Sequence, residues 1–487
     1  MTERMRLNEG NRRWWTLAAM CFALFMVMLD NTVVNVALPS IQSDLRASTA
    51  GLEWTVNAYT LAFGVLLVTG GRLGDIFGRR KVFLFGVVLF AISSAFIGFS
   101  QSQAWLISGR TLQGVGAALM MPATLSIISN AFPPEERGKA IGTWAGVSAL
   151  ALAIGPVVGG LLVEQVSWQS IFFINLPVAV GAIAVTLFAT HESRDETVLP
   201  KVDVAGITTI TIGLTALTLA LVEAGSWGWG SPRILALLGL AATGLAAFAY
   251  TERRAPVPMV DLSFFRSRTF LGSNIVAFIV SFSMLGMFFF LSLYMQQVLK
   301  FSPLEAGLRF MPTTLMVIVV APIAGRLTDR IGPRPLMTAG LTLVAISLFW
   351  LSFLSIDTSY QFLFGGFTLM GIGISLVISP MSTAAMNAVD KSKAGVASGI
   401  LSMSRMVGGT LGIAVLGTII SHTTTPVSFV DSLSSGLLLG AIVAALGALV
   451  AWVLISAELA GGQTRQAAVA GELPAPPAEP ARETVRA

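Results

Sequence analysis

The chain has 487 residues, of which 54% are hydrophobic and only 11% are charged, whereas an ordinary soluble domain carries about 25% charged residues. This composition is typical of a membrane protein and leaves no stretch for a separate soluble domain. The net charge of +5 is explained by cations facing anionic lipid, and it gives no support for nucleic-acid binding.

Apolar stretches long enough to cross a membrane follow one another along most of the chain. A helix of about 20 apolar residues spans the hydrocarbon core, and the absence of period-2 alternation argues against a barrel. The sequence predicts fourteen transmembrane helices, at residues 14–38, 51–71, 82–100, 104–130, 140–163, 168–190, 204–223, 232–250, 269–298, 306–325, 335–355, 360–388, 394–420 and 433–456. We therefore expect an all-α polytopic membrane protein.

The first span follows a basic segment, residues 1–13, and superficially resembles the start of a signal peptide. The apolar run is too long for that and has no small-residue cleavage pattern, so we expect an uncleaved span. The single cysteine, Cys21, lies within it and is expected to act as a buried small hydrophobe. His191 and His422 are far apart in the predicted topology, so no metal site is expected.

The basic residues fall mainly in alternate loops, and basic residues accumulate on the cytoplasmic side of membranes. The sequence thus predicts a multi-pass protein of the cell membrane with both termini in the cytoplasm. Few lysines and arginines escape this pattern, namely Arg46, Arg233, Lys300 and Arg309 on the outer side and Arg110 and Arg405 within spans.

Asp30 and Arg110 carry opposite charges inside predicted spans. Their depths are compatible, since Asp30 lies about 13 Å and Arg110 about 9 Å from the outer ends of their helices. An ionisable residue at such a depth normally faces a partner or a cavity and marks a transport pathway. We expect Asp30 to exchange a proton with the outside and Arg110 to influence that exchange. A permanent structural ion pair is the alternative.

An internal repeat divides the chain. The segment "GRLGDIFGRR" from Gly71 recurs as "GRLTDRIGPR" from Gly325, and parallel repeats of this kind relate the two halves of a major facilitator fold. The sequence predicts six-helix bundles at 14–190 and 269–456, with two additional linker helices and their loops at 191–268. Residues 1–13 form a cytoplasmic N-terminus, and the Pro- and Ala-rich residues 457–487 a disordered cytoplasmic tail. A short interfacial helix is expected near 262–265.

Four motifs now identify a family. They are "LDNTVVNVALP" from Leu29, "GRLGDIFGRRK" from Gly71, "GRTLQGVGAA" from Gly109 and "GPVVGG" from Gly155. In this order they resemble the major facilitator superfamily, and specifically its fourteen-helix drug:proton antiporters of the QacA/EmrB type. One departure is Gln169, which stands where that family usually has an arginine after the tryptophan that opens the sixth helix. An ion pair at that helix end is therefore in doubt.

The resemblance implies roles for the loop between the second and third spans. We expect this loop to close the cytoplasmic side when the central pocket faces outward, with Asp329 in a weaker second copy. Topology alone would explain the cations but not Asp75. The predicted gating residues are Gly71, Gly74, Asp75, Gly78, Arg79, Arg80 and Asp329.

The fifth-span motif is expected to interrupt its helix, because proline removes a hydrogen bond and glycines allow close approach. The resemblance assigns this motif to exporters, and helix packing alone is the alternative. The predicted motif residues are Gly155, Pro156, Gly159 and Gly160.

Polar residues on spans that could enclose a cavity are candidates for the substrate path, and soft Met and Phe side chains there suit varied ligands. These polar candidates are Asn35, Asn57, Tyr59, Gln113, Asn175, Asn274, Ser281, Tyr294, Gln296, Asn387 and Arg405. Arg405 resembles an arginine of the family's thirteenth helix, with a structural counter-ion as the alternative. Glu53 and Glu223 are second-rank candidates for proton or cation sites, and interfacial anchoring is the favoured interpretation for both.

The sequence thus predicts a secondary transporter, not an enzyme, that exports amphipathic or cationic drugs in exchange for protons by alternating access. Alternatives are a dedicated exporter of one endogenous metabolite or antibiotic, and a non-transporting sensor or scaffold. No phosphate-binding loop is present, which disfavours an ATP-driven pump. We expect small molecules, protons and lipid as partners, no cofactor and a monomer.

Overall fold

The structure is a computed structural model that describes residues 9–194, 203–256, 258, 260, 262–389, 394–420 and 425–456. Within these residues the chain forms sixteen α-helices and no strand. The predicted disordered tail, 457–487, lies outside the described residues.

The first helix group consists of seven helices that surround one buried interior. They are α1 (Glu9–Leu45), α2 (Thr49–Phe77), α3 (Arg79–Gly98), α4 (Gln103–Ala131), α5 (Pro134–Gln165), α6 (Ser170–Phe173) and α7 (Asn175–Ala189). Side-chain hydroxyls begin two of these helices, since Ser48 accepts from Gly51 N and Ser102 accepts from Trp105 N. Such caps satisfy backbone donors that have no partner within the helix.

Two linker helices follow, α8 (Val204–Trp227) and α9 (Pro232–Arg254). They pack against each other where Gly213 faces Gly244. The approach is so close that a side chain at either glycine would collide with the other helix. A short 3-10 helix then forms at Leu262–Arg266, where the sequence predicts a short helix. Linker helix α8 packs against α2 of the first helix group as well as against α9.

The second helix group consists of the next seven helices. They are α10 (Arg268–Leu293), α11 (Pro303–Arg309), α12 (Met311–Ile331), α13 (Pro333–Leu351), α14 (Tyr360–Asn387), α15 (Ala394–Ile420) and α16 (Pro426–Leu454). A π-helical turn, Tyr294–Val298, extends α10.

Thirteen described helical segments are long and apolar enough to cross a membrane, counting α6 with α7 and α11 with α12 as single segments. The one remaining predicted span, the fifth in chain order, corresponds to α5, of which residues Ile154–Gln165 form a shorter apolar segment. The all-α membrane fold predicted from the sequence is therefore confirmed. The breaks at Ile174 and Phe310, which divide the sixth and tenth spans into two helices each, are not predicted from the sequence.

The two groups repeat the same packing. Helix α1 packs against α5 and α7 as α10 packs against α15 and α16, and α4 lies against α2 and α3 as α14 lies against α12 and α13. Because consecutive spans alternate in direction, the bundle has two ends. We call them the α1–α2 end and the α2–α3 end, after the turns found there.

The helix groups meet closely at the α1–α2 end. Ser292 Oγ donates to Asn35 O at 2.6 Å, and Gln296 Nε2 donates to Val36 O at 3.0 Å. Nearer the middle, the hydroxyls of Thr60 on α2 and Thr410 on α15 lie 2.8 Å apart. These contacts join the two groups and close the α1–α2 end.

Candidate functional site

An ion pair lies inside the first helix group. Asp30 projects from α1 and Arg110 from α4, and Arg110 Nη1 donates to Asp30 Oδ2 at 2.5 Å. The Arg110 side chain is 1% exposed and that of Asp30 is 0% exposed. Each charge is compensated only by its surroundings, because water is excluded from both side chains.

Polar neighbours complete the coordination of the Asp30 carboxylate. Gln113 Nε2 donates to Asp30 Oδ1 at 2.9 Å and also to Ser94 Oγ at 2.9 Å. Asn175 Nδ2 donates to the same Asp30 oxygen at 3.3 Å. Asp30 therefore accepts hydrogen bonds from three side chains. Ser94 is absent from the sequence predictions, although the adjacent serines 93 and 94 in an otherwise apolar span are a visible signal.

Arg110 is held on its other faces by α2 and α6. Its Nε donates to Thr55 O at 2.9 Å. Its guanidinium carbon lies 4.2 Å from the ring centre of Tyr59 and 5.9 Å from that of Phe172. Aromatic faces attract a cation most strongly when both are removed from water. These rings thus stabilise the arginine and shield it from water.

Glycines allow α4 to pack closely against α2 and α3. A side chain at Gly114 would collide with the backbone of Tyr59 on α2, and one at Gly116 would collide with the backbone of Gly86 on α3. Small residues let membrane helices pack at short distance. Both glycines belong to the fourth-span motif, so the motif provides the approach as well as the charge.

The predicted gating loop lies at the α2–α3 end. Arg79 donates to Asp75 Oδ1 from Nε at 2.9 Å and from Nη2 at 2.8 Å. Gly78 has a φ of 108° and ends α2, a conformation that favours glycine. Gly71 packs against Pro122 of α4, and Gly74 lies beside Arg79. In this structure the loop acid is paired with a cation of its own loop.

Glu192, after α7, contacts the same loop and is absent from the sequence predictions. Its carboxylate accepts from Arg80 N at 3.0 Å and from Lys81 N at 3.3 Å. Arg79 N donates to Ser193 O at 2.9 Å. A carboxylate at the first turn of a helix satisfies backbone donors there and is favoured by the helix dipole. The one available signal is an acid directly after a span.

The second copy of the loop repeats this backbone. Gly332 ends α12 with a φ of 81°, as Gly78 ends α2, and Gly325 faces Ser379 of α14. Asp329 lies in the last turns of α12, and its side chain lies outside the described part of the chain.

The fifth-span motif lies where α5 meets both α1 and α11. A side chain at Gly155 would collide with Thr32 of α1, and one at Gly159 with Val33. Gly160 faces the backbone of Leu304 on α11. The backbone of Pro156 in turn faces Gly307. The expected interruption of this helix is wrong, because α5 continues through Pro156. The motif instead forms one of the contacts between the two helix groups.

The substrate-path candidates occupy different places. Gln113, Tyr59 and Asn175 belong to the ion-pair network. Asn57 is fully buried on α2, and neither its Nδ2 nor its Oδ1 has a hydrogen-bond partner in the described chain. Asn35 contributes its backbone oxygen to the closed α1–α2 end.

Three further candidates lie in the second helix group. Asn274 Oδ1 accepts from Ser404 Oγ at 2.8 Å. The Tyr294 hydroxyl donates to Ser355 O at the α1–α2 end. Arg405 Nη2 donates to Ser402 Oγ at 3.2 Å, and no described carboxylate forms an ion pair with it. The described hydrogen bonds do not join these three residues to one another.

Glu53 differs from the sequence expectation at the α1–α2 end, and Gln169 takes part in a polar contact there. Glu53, interpreted as an interfacial anchor, is only 1% exposed, because α15 covers the first turns of α2 at Gly417. The family arginine replaced by Gln169 is not needed for a polar contact there. Trp168 Nε1 donates to Asp44 Oδ2 at 2.7 Å, and Gln169 Nε2 donates to the same oxygen at 3.4 Å.

Comparison with known proteins agrees with this geometry. The family model described as Major Facilitator Superfamily matches residues 20–413 and 275–479. The tetracenomycin C resistance and export protein of Streptomyces glaucescens is 39% identical, over 84% of this chain and 76% of that protein. The multidrug resistance protein Stp of Mycobacterium tuberculosis (strain CDC 1551 / Oshkosh) is 37% identical, over 83% and 75%.

A solved structure supports the same fold. The crystal structure of the POT family transporter PepTSo superimposes with a TM-score of 0.64 and 17% identity, covering 91% of this chain and 98% of that one. The helix order, the repeated packing and the sequence relatives lead to one conclusion: this chain belongs to the Major Facilitator Superfamily and is a multi-pass membrane transporter, not an enzyme.

Proposed function

We propose that the protein exports amphipathic, often cationic, drug-like compounds in exchange for protons by alternating access. The relatives support export, since one is named for tetracenomycin C resistance and export and another for multidrug resistance. Proton exchange supplies the driving force, at about 2.3 kcal/mol per charge for each 100 mV of membrane potential.

The buried pair of Asp30 and Arg110 is the observation that carries this proposal. Two charges placed inside a membrane span are costly and normally serve a pathway. A proton arriving at Asp30 would neutralise the carboxylate and release Arg110 from its partner. The pair thus has two electrostatic arrangements, and each favours a different packing of α1 and α4.

We propose that the α2–α3 end faces the cytoplasm, because the loops at that end carry most of the basic residues. The closed α1–α2 end then faces outward. The protein lies in the cell membrane, and both of its termini lie in the cytoplasm. The six-helix bundles are residues 14–190 and 269–456, joined by linker helices within 191–268. The gating loop from Gly71 closes the cytoplasmic end in the opposite state.

The decisive experiment measures substrate-driven proton movement in proteoliposomes. With a panel of cationic dyes and natural products, the wild type should release protons as each substrate moves. Asp30→Asn should abolish this coupled signal, because an amide cannot carry the proton. The variant leaves Arg110 buried without its counter-ion, so its folded fraction is isolated by size-exclusion chromatography before reconstitution.

Asp44→Asn is the matched control, since Asp44 lies at the end of the same helix and accepts hydrogen bonds there from Trp168 and Gln169. Coupling should survive this change. Proton-coupled transport by Asp30→Asn would instead identify the ion pair as a permanent structural one. A complete lack of substrate movement by the wild type across the panel would favour a sensor or scaffold.

Export of a single endogenous compound is a second candidate, favoured by the relative named for tetracenomycin C. The same dye panel separates the two functions, because a dedicated exporter would move one compound and ignore the rest. In either case we propose that one chain is the transport unit, since both helix groups belong to it.

A further inference from the structure

A second carboxyl group is buried near the α1–α2 end and lacks the donors that surround Asp30. Glu53 lies in the second turn of α2 and is 1% exposed. Its Oε2 atom has no hydrogen-bond partner among the described residues. An ionised carboxylate in such a position loses its hydration without compensation.

Helices from three parts of the chain enclose this group. Gly417 of α15 lies directly against the Glu53 carboxyl, and a methyl group at Gly417 would overlap it. The next residue, Thr418, donates from its hydroxyl to Leu221 O of α8 at 2.7 Å. Helix α8 also packs against α2. The first helix group, the second helix group and the linker therefore meet around Glu53.

The charges near Glu53 are unfavourable for an anion. The neighbouring titratable group on α8 is Glu223, which repels a negative charge on Glu53, and α15 contributes a glycine at the contact. Among the described residues no lysine, arginine or histidine forms an ion pair with Glu53, including Arg46 in the adjacent turn. A neutral, protonated carboxyl fits these surroundings, whereas a carboxylate does not.

We propose that Glu53 is a second proton-binding site, distinct from Asp30, and that α2, α15 and α8 close around it only when it holds a proton. The structure, with its α1–α2 end closed, then corresponds to the protonated form. Opening this end would admit water to Glu53 and allow it to ionise. The inference rests on the proposed function in one respect only: the proposed orientation decides which side of the membrane supplies the proton.

Linkage gives the direction of the pH effect. The closed state binds the proton more tightly than the open state, so acid favours closure and alkali favours opening. For one proton, the ratio of closed to open molecules changes by up to about tenfold per pH unit. Asp30 has its own donors, Arg110, Gln113 and Asn175, which Glu53 lacks, so variants at the two residues test the two sites separately.

Distance measurements on the full chain in lipid nanodiscs test the proposal without substrate or transport. Spin labels are placed on cysteines at Ser43 and Asp357, exposed residues of the two helix groups, with Cys21 replaced by alanine. Pulsed EPR distances are recorded between about pH 5 and about pH 9. The wild type should change from a short to a long distance as the pH rises, whereas Glu53→Gln should keep the short distance throughout.

Two further variants assign the effect. Asp30→Asn should retain the pH-dependent distance change, which separates this site from the ion pair. Glu223→Gln should move the midpoint to lower pH, because the repelling charge is gone. A folded Glu53→Gln protein that still opens with rising pH would overturn the proposal, as would a wild-type distance that is constant over the whole range. Failure of transport in the dye experiment leaves this result intact.

Discussion

The interiors of the two helix groups share one packing scheme and differ in chemistry. In the first group, α1 and α4 enclose the Asp30–Arg110 pair and its polar neighbours. In the second, the matching helices enclose phenylalanines, and the ring of Phe310 lies 5.0 Å from the rings of both Phe288 and Phe367. The fourth-span segment "GRTLQGVG" from Gly109 aligns with "GFTLMGIG" from Gly366, so Phe367 stands at the position that matches Arg110. The fold therefore does not require an ion pair, and the charged interior is specific to one half.

Breaking the pair should have the largest effect. Arg110→Met leaves Asp30 buried without its counter-ion and should lower the free energy of unfolding by about 3–5 kcal/mol. Thermal unfolding in detergent measures the loss. The double variant with Asp30→Asn should recover much of it, because no charge is then uncompensated. A single variant as stable as the wild type would mean that the pair is compensated from elsewhere.

The second prediction introduces a polar side chain at Phe367, the position in the second half that matches Arg110. Phe367→Gln should destabilise the protein by about 3 kcal/mol, because it removes a buried ring and introduces an amide without partners. Proton release per substrate should stay unchanged in the folded fraction. The control is Phe364→Gln, one turn away and 50% exposed. Equal losses for both variants would contradict the distinct role of the buried ring.

The third prediction concerns the contact between the halves. Gly307→Ala would place a methyl group against the backbone of Pro156 and should disfavour the closed α1–α2 end by about 1–3 kcal/mol. The Ser43–Asp357 label pair should report more of the long distance. The control is Gly181→Ala, which should leave the distance unchanged because Gly181 has open space around it. A long distance in this variant too would contradict the explanation by a collision at Pro156.

The smallest effect is expected in the repeated loop. Asp75→Asn removes a partly exposed i,i+4 pair and should change the unfolding free energy by less than about 1 kcal/mol. It should nevertheless lower transport and shift the populations of the two states, because the loop is proposed to close the cytoplasmic end. Asp329→Asn, in the second copy, should act in the same direction but more weakly. Unchanged transport and unchanged populations in Asp75→Asn would contradict the proposal that this loop closes the cytoplasmic end.

The spans could be predicted from the sequence because each is a long apolar run, and Asp30 and Arg110 could be singled out because charges are rare within such runs. Tyr59 and Gln113 were recognisable as polar residues on a span, but their partners were not, since contacts between helices depend on helix rotation. The burial of Glu53 could not be foreseen either. It results from Gly417, which lies far away in the sequence and has no side chain to signal a contact.

The position of α8 has a consequence for molecules dissolved in the bilayer. It packs against both α2 and α15, so a lipid-borne compound cannot slip sideways between those two helices without displacing it. On the pseudo-symmetric flank, where α5 packs against α11, neither linker helix packs against this pair among the described helices. The linker therefore makes the two flanks of the transporter different, although its two halves share the same architecture.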